Sequence, residues 1–162
     1  PIRVTFDNDA VLGSEDRNLY VDKLVAECGS TTTTPPPTST CTSTTYEAET
    51  MSRTTGGATS GGWNLWSNGS LSTSHRFLGG PVHVAVTAKG SSAGGVWPRM
   101  RLYVGGELLG TVTVGSTSWK EYVFEVAPAA ATSELRVTFD NDAVIGSEDR
   151  NLYVDKVVAR CP

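Results

Sequence analysis

The sequence predicts an all-β protein, a two-sheet antiparallel β-sandwich of the jelly-roll type. From residue 46 onward, short segments alternate apolar and polar residues, as a half-buried strand requires. Gly, Ser and Pro separate these segments, and none of them has the spacing of an amphipathic helix. A domain of this length can bury about two thirds of the surface of its unfolded chain, so it can fold alone. The predicted strands are 82–86, 100–104, 111–114, 122–126, 135–139 and 152–158.

An internal repeat defines the organisation of the chain. The segment from Arg3 to Cys28 recurs almost unchanged from Arg136 to Cys161. The copies differ at three positions, which pair Leu12 with Ile145, Leu24 with Val157, and Glu27 with Arg160. Each copy has the length of two strands, so residues 1–28 are interpreted as the last two strands of a preceding sister module.

A Thr/Pro-rich stretch, residues 29–45, separates this remnant from the module proper, residues 46–162. Such a composition cannot bury apolar surface and behaves as an extended linker. Both copies fit the same position in the sandwich, and the C-terminal copy is favoured because its chain connection is short. The segment from Arg3 to Cys28 is then solvated, paired with another chain, or exchanged into a dimer.

Composition excludes several classes of partner. Charged residues make up 19% of the chain and the net charge is -4, without the basic stripe that nucleic acid binding needs. No apolar run approaches the roughly 20 residues of a membrane span. The linker indicates a secreted, extracellular protein, in which disulfides persist.

The three cysteines fit this domain division. Cys41 precedes the first strand of the module and Cys161 follows the last, so a Cys41–Cys161 disulfide is predicted. In the chain-entropy model it would contribute about 3–5 kcal/mol. Cys28 is the counterpart of Cys161 in the remnant, and three free buried thiols are the alternative.

An acidic loop, residues 140–151, links the last two predicted strands. It holds four carboxylates beside a turn-forming Gly: Asp140, Asp142, Glu148 and Asp149. Calcium prefers six to eight oxygen ligands and tolerates irregular geometry, so such a loop can hold it. The loop lacks the EF-hand pattern, and a solvated acidic turn is the alternative.

Three motifs carry a resemblance to a known family. They are the segment 141–155, Tyr-Glu-Ala-Glu at 46–49, and Gly-Trp-Asn-Leu-Trp-Ser-Asn-Gly at 62–69. The chain resembles the calcium-dependent xylan-binding modules of carbohydrate-binding families thirty-six and sixty, which are circular permutants of each other. The resemblance implies an exposed Ca²⁺ held by Asp142 and Asp149, to which two neighbouring sugar hydroxyls bind. Glu148, where the family tends to have an aromatic residue, is a further candidate ligand, and Asp9 and Asp16 are the equivalents in the remnant.

A second, structural Ca²⁺ is also implied by the resemblance, with Glu47, Glu49 and Asp155 as ligands. Glu47 and Glu49 are two residues apart and would share one face of a strand. Asp155 interrupts an apolar run, which is unusual unless the carboxylate is paired or liganded. Exposed edge charges are the alternative.

The remaining features favour a binding module over an enzyme. Trp63 and Trp97 lie in Gly-rich segments and are candidate sugar contacts, although aromatic residues of a sandwich more often belong to its core. The carboxylates crowd into one loop, and no nucleophile, zinc or phosphate motif occurs. The prediction is a non-catalytic module, appended to a glycoside hydrolase, that binds xylan or a related plant cell-wall glycan. A calcium-stabilised extracellular structural or adhesion repeat without sugar specificity is the alternative.

Overall fold

The computed structural model describes residues 42–162 and the backbone of two short strands near the N-terminus. The chain divides into two compact units, Pro1–Thr38 and Ser39–Pro162. The described strands of the first unit are β1 (Val11–Leu12) and β2 (Glu15–Asp16), which pair antiparallel. The predicted residues Asp9, Cys28 and Cys41 lie outside the described residues, and only the backbone of Asp16 is described.

The described residues of the second unit form strands and one 3₁₀ turn, Ala48–Thr50. In chain order its strands are β3 (Thr44–Glu47), β4 (Ser52–Arg53), β5 (Gly57–Thr59), β6 (Gly62–Leu65), β7 (Gly69–Phe77), β8 (Val82–Ser91), β9 (Arg99–Val104), β10 (Glu107–Thr113), β11 (Lys120–Val126), β12 (Ala131–Phe139), β13 (Val144–Ile145), β14 (Glu148–Asp149) and β15 (Asn151–Arg160). In this part of the chain no helix has the length and apolar character needed to cross a membrane.

Two antiparallel sheets form the sandwich. One has the strand order β10-β9-β12-β7-β4, and the other has the order β11-β8-β15-β6-β5, with β3 also paired to β15. The predicted fold class, an antiparallel two-sheet β-sandwich, is confirmed. All six predicted segments coincide with strands, except that Val114 lies one residue beyond β10.

The core lies between the sheets and follows from the two-residue period of each strand. In β9, Met100, Leu102 and Val104 are buried, while the residues between them are only partly buried. The strand β12 repeats this pattern, with Leu135 and Phe139 among its buried residues. Burying such a side chain fully contributes about 1.5–3 kcal/mol.

The ten-residue strand β15 organises the six-stranded sheet. It pairs with β8 along its length, with β6 near its start and with β3 near its end. Its register against β8 shifts between Val154 and Lys156, which places Asp155 at a bulge. Gly62 passes close to this point, since a Cβ there would lie 2.2 Å from the Val154 carbonyl oxygen. The bulge explains how an acidic residue fits into an otherwise apolar run.

Candidate calcium and glycan site

The acidic loop crosses from one sheet to the other at one end of the sandwich. The strand β12 ends at Phe139, opposite Gly69, and β15 begins at Asn151, opposite Ser91. Between them β13 and β14 form a hairpin with a two-residue turn. The first turn residue, Gly146, has φ 64°, and the second, Ser147, has a negative φ, since no described non-Gly residue has a positive one. This combination is typical of a type II′ turn. The loop therefore has a defined backbone structure.

The first carboxylate of the loop, that of Asp140, is already paired. Its Oδ1 lies 2.7 Å from Arg99 Nε and its Oδ2 lies 2.9 Å from Arg101 Nη1. Both arginines come from β9, which is adjacent to β12. Asp140 therefore anchors the loop to the five-stranded sheet and has little capacity left for a metal ion.

Asp142 differs from Asp140 because one of its oxygens has no partner. Its backbone N–H donates to Asn68 Oδ1 at 2.8 Å, while the preceding Asn141 accepts a bond from the Arg99 N–H at 2.7 Å. Asp142 Oδ1 is buried and has no hydrogen-bond partner in the part of the chain that the structure describes. A buried acceptor left unpaired costs about 1–3 kcal/mol. A carboxylate oxygen of this kind fits the oxygen preference of Ca²⁺.

Asp149 and Glu148 lie on the exposed strand β14. Asp149 Oδ2 accepts a bond from Asn151 Nδ2 at 3.0 Å, and its backbone carbonyl accepts one from Ser91 Oγ at 2.7 Å. Glu148 Oε2 accepts a bond from the Gly94 N–H at 2.7 Å. Asn151 is buried, and its Oδ1 is a second buried acceptor without a partner. The loop thus contains two orphaned oxygens, of Asp142 and Asn151, on either side of Asp149 in the sequence.

Within residues 42–162, no three His, Cys, Asp or Glu side chains come together as a metal-binding group. The set Asp142, Glu148 and Asp149 is therefore not a ready cluster of carboxylates. An ion in this loop would need amide or carbonyl oxygens and water in addition, as Ca²⁺ accepts.

The predicted ligands of the structural Ca²⁺, Glu47, Glu49 and Asp155, do not all lie where the sequence predicted them. Glu47 ends β3 opposite Lys156, but Glu49 lies in the 3₁₀ turn, so the expectation that both glutamates share one face of a strand is wrong. The chain turns after Glu47 because Met51 N–H bonds back to the Ala48 carbonyl. Asp155 Oδ2 lies 3.4 Å from Lys156 Nζ. Asp155 thus has a cationic partner within the protein.

The two predicted aromatic contacts are integrated into the fold. Trp63 donates from Nε1 to the Thr55 carbonyl at 2.8 Å and packs against the core. The guanidinium of Arg53 lies 4.2 Å from its ring centroid and covers one face. Trp97 is half-buried, and its carbonyl accepts a bond from Asn141 Nδ2 at 3.1 Å. Trp63 therefore packs into the fold more than it exposes a face, and Trp97 contributes its backbone carbonyl to the site.

Trp66 is the exposed aromatic residue that sequence reasoning missed. It is 52% exposed, and its ring lies against Gly57, where a Cβ would be 2.5 Å from Cζ3. It precedes Asn68, which binds the Asp142 amide, by two residues. The alternation in β6 contained a signal, since Trp63 and Leu65 point to the core and Trp66 falls outside that phase.

Arg150 was also missed by sequence reasoning. It is 6% exposed, and its guanidinium donates to the carbonyls of Ala93, Val96 and Asn141. An arginine directly after two acidic residues looks like a solvated charge, and the sequence gives no signal that it is buried.

The opposite end of the sandwich has a different character. A cavity of about 440 Å³ lies there, beside Tyr46 and His75. The Tyr46 hydroxyl lies 2.8 Å from His75 Nδ1, and burial raises the pKa of Tyr46 and lowers the pKa of His75. The predicted Cys41–Cys161 disulfide stays a prediction because Cys41 is not described.

Part of the chain is similar to a known protein family. Residues 83–160 match the model of family CBM60, the Ca-dependent carbohydrate-binding module that is xylan-binding. No curated protein sequence matches the chain.

Solved structures share the fold at low sequence identity. The CBM36-1 domain of a multidomain xylanase from the hindgut metagenome of Trinervitermes trinervoides has a TM-score of 0.59 and 21% identity, over 75% of this chain and 98% of that domain. A CBM36 module in complex with calcium and xylotriose has a TM-score of 0.50 and 23% identity, over 70% and 97%. The C-terminal CBM6 of LamC from Zobellia galactanivorans has a TM-score of 0.53 and 16% identity, over 74% and 100%.

The family match covers the strands that flank the acidic loop, and the shared fold covers the sandwich as a whole. The chain therefore has the fold of these modules and resembles the calcium-dependent xylan-binding modules of families 36 and 60, which are non-catalytic.

Proposed function

We propose that the module binds xylan, or a related plant cell-wall glycan, at the acidic loop, with Ca²⁺ held by Asp142 and Asp149. Glu148 contributes at most one carboxylate oxygen, since the other accepts the Gly94 N–H. Bound calcium would supply open coordination positions that two adjacent sugar hydroxyls, such as O2 and O3 of a xylosyl unit, can fill. Recognition would then depend on the stereochemistry of the hydroxyl pair.

The orphaned Oδ1 of Asp142 is the observation that carries this proposal. Asp140, two residues earlier, is neutralised by two arginines, so the loop distinguishes a structural carboxylate from an uncommitted one. The Asn68 side chain holds the Asp142 backbone, which keeps the free carboxylate in place before any ion arrives. Such preorganisation lowers the entropic cost of binding.

We extend the proposal to Trp66 as the aromatic contact of the sugar. Its exposed ring follows β6 and lies on the segment that leads to Asn68, so it belongs to the same end of the sandwich as Asp142. Sugar rings present apolar C–H faces, and an exposed indole offers a large rigid surface for them. Trp63 is less suited because Arg53 covers one face of its ring.

The structural ion at Glu47, Glu49 and Asp155 is retained as a proposal. Glu47 pairs with Lys156, next to Asp155, so two of the three carboxylates belong to adjacent positions of the sheet. Lys156 Nζ competes for the Asp155 carboxylate. An ion there would have to displace this ammonium group.

The proposed sugar binding also suggests a biological setting for the module. We propose a secreted protein in which the module holds an attached glycoside hydrolase against its polysaccharide, and in which a second copy would add avidity. Exchange or dimerisation through the segment from Arg3 to Cys28 is the accompanying hypothesis. Mass measurement in solution at several protein concentrations tests it, and a monomer throughout contradicts it.

Calorimetric titration with xylohexaose tests the central proposal. Binding is expected in calcium, and is expected to vanish in EDTA and in Asp142→Asn. The matched control is Asp9→Asn, the same change in the remnant copy, which should bind as wild type does. Unchanged binding in EDTA would contradict the proposal. Calcium-dependent thermal stabilisation without any response to xylan, cellulose or galactan fragments would favour the structural-repeat alternative.

A further inference from the structure

Among residues 42–162, Arg150 is a buried cation without a carboxylate partner. It is 6% exposed, and it takes part in none of the ion pairs formed by residues 42–162. Burying a charge is costly unless other groups compensate for the lost water. A guanidinium kept at such a position therefore needs a structural or functional reason.

Three backbone carbonyl groups provide the compensation. Arg150 Nε donates to Val96 at 2.8 Å, Nη1 to Asn141 at 2.5 Å, and Nη2 to Ala93 at 2.7 Å. Hydrogen bonds from an ionised donor are roughly twice as strong as neutral ones. The planar, rigid arrangement of donors in Arg lets one side chain hold three separate carbonyls.

Two of these carbonyls do not need the guanidinium to be satisfied. Ala93 and Val96 already bond to each other, N–H to carbonyl in both directions, at 3.1 Å. The arginine adds a second bond to each, so its effect is to attach this hairpin to the acidic loop. Glu148, through the Gly94 N–H, ties the same two segments at a second point.

We infer that Arg150 is the positioning residue of the acidic loop, and this inference rests on the proposed function of that loop. Its guanidinium fixes the Asn141 carbonyl, directly before Asp142, and its own N–H bonds to the Ala143 carbonyl at 3.0 Å, directly after it. Arg150 also follows Asp149 in the chain. Arg150 therefore holds the carbonyl groups on both sides of Asp142, one through its side chain and one through its backbone N–H, and it is the next residue after Asp149.

The substitution Arg150→Lys tests this role. Lysine keeps the charge but lacks the planar set of donors, so it cannot hold three carbonyls in the same way. We expect the calcium Kd to rise about 10–100-fold, the range for groups that orient metal ligands. Xylohexaose affinity at saturating calcium should return to within about twofold of wild type, because the bound ion then fixes the loop. Arg17→Lys, the same change in the remnant, is the matched control and should alter neither value.

The outcomes separate this inference from the proposed function. Equal calcium affinity in wild type and Arg150→Lys overturns the positioning role, as does a loss of sugar affinity that saturating calcium does not restore. A wild-type protein that takes up no calcium overturns the proposed function instead.

Amide hydrogen exchange of the wild type can overturn the inference even if Arg150→Lys does not fold or calcium does not bind. The N–H groups of Asp142, Arg150 and Gly94 are hydrogen-bonded in the loop and hairpin. Positioning by Arg150 requires these amides to be protected from exchange in EDTA, and adding calcium should raise their protection factors by less than about tenfold. Free exchange of these amides in EDTA would overturn the inference.

Discussion

Replacing Asp142 with Ala should stabilise the calcium-free protein while removing its response to calcium. In wild type, Asp142 Oδ1 is buried without a partner, which costs about 1–3 kcal/mol. Because the residue is only partly buried, we take the lower end of this range, ~1 kcal/mol. For a domain of this size, that gain corresponds to a rise in Tm of about 4 °C.

Calcium should reverse the order of stability. An ion at about 100 times its Kd stabilises the protein that binds it by about 2.7 kcal/mol. Wild type should therefore melt above Asp142→Ala in calcium and below it in EDTA. Differential scanning calorimetry of both proteins in both buffers measures the four values.

The control for this experiment is Asp140→Ala. Asp140 is paired with Arg99 and Arg101, so its loss should lower Tm in both buffers. If Asp142→Ala melts below wild type in EDTA, then Asp142 is a structural carboxylate and the reasoning is wrong. An equal calcium-induced shift in wild type and Asp142→Ala would show that the ion binds elsewhere.

Three further predictions concern other parts of the module. Trp66→Ala should weaken xylohexaose binding on the order of tenfold, as loss of an exposed aromatic anchor does. Trp119, directly before β11, has Lys89 Nζ 4.6 Å from its ring centroid, and Trp119→Ala should leave binding unchanged; calorimetry compares the two variants. Burial lowers the pKa of His75, so as the pH falls the unfolded chain takes up this proton before the folded protein does, and stability is lost below about pH 6.5. The drop in Tm between pH 7 and pH 5 should therefore be smaller in His75→Gln than in wild type. An equal drop in both proteins would contradict this prediction. Gly62→Ala should lower the free energy of unfolding in urea by ~2–4 kcal/mol, because φ is positive there and the new Cβ would lie 2.2 Å from a carbonyl oxygen. Gly80 also has a positive φ but lies in open space, so Gly80→Ala should lower it by only ~1–2 kcal/mol. Equal losses in the two variants would exclude the close contact as a cause.

Strands with apolar inward positions could be predicted from sequence, and β7 could not. In β9 and β12 every buried residue is apolar, so the two-residue period is plain. In β7, Gly69–Phe77, the buried apolar residues are Leu71 and Phe77, and Thr73 and His75 occupy the positions between them. His75 is accommodated because the Tyr46 hydroxyl bonds to it, a contact across 29 residues that no local pattern contains.

The carboxylates of the site were equally hard to rank from sequence. Asp140 and Asp142 look equivalent in the chain, and they differ only because β9 brings Arg99 and Arg101 beside the first of them. Glu49 was assigned to a strand because it repeats Glu47 at a two-residue interval, but the chain enters a 3₁₀ turn directly after Glu47. Strand pairing between distant segments thus sets the environments of Asp140 and Asp142, and a local turn sets that of Glu49.

The repeated segment separates what local sequence encodes from what the sandwich adds. In the first copy Val11 pairs with Asp16, and in the second Val144 pairs with Asp149, so the same residues form the same hairpin register in both. The hairpin is thus encoded by its own sequence. Most of the groups that hold Asp142 come from elsewhere: Asn68 precedes β7, and two of the three carbonyls that anchor Arg150 belong to the hairpin after β8. Those segments occur once in the sequence, so an isolated copy of the loop should form its turn and yet fail to preorganise a calcium site.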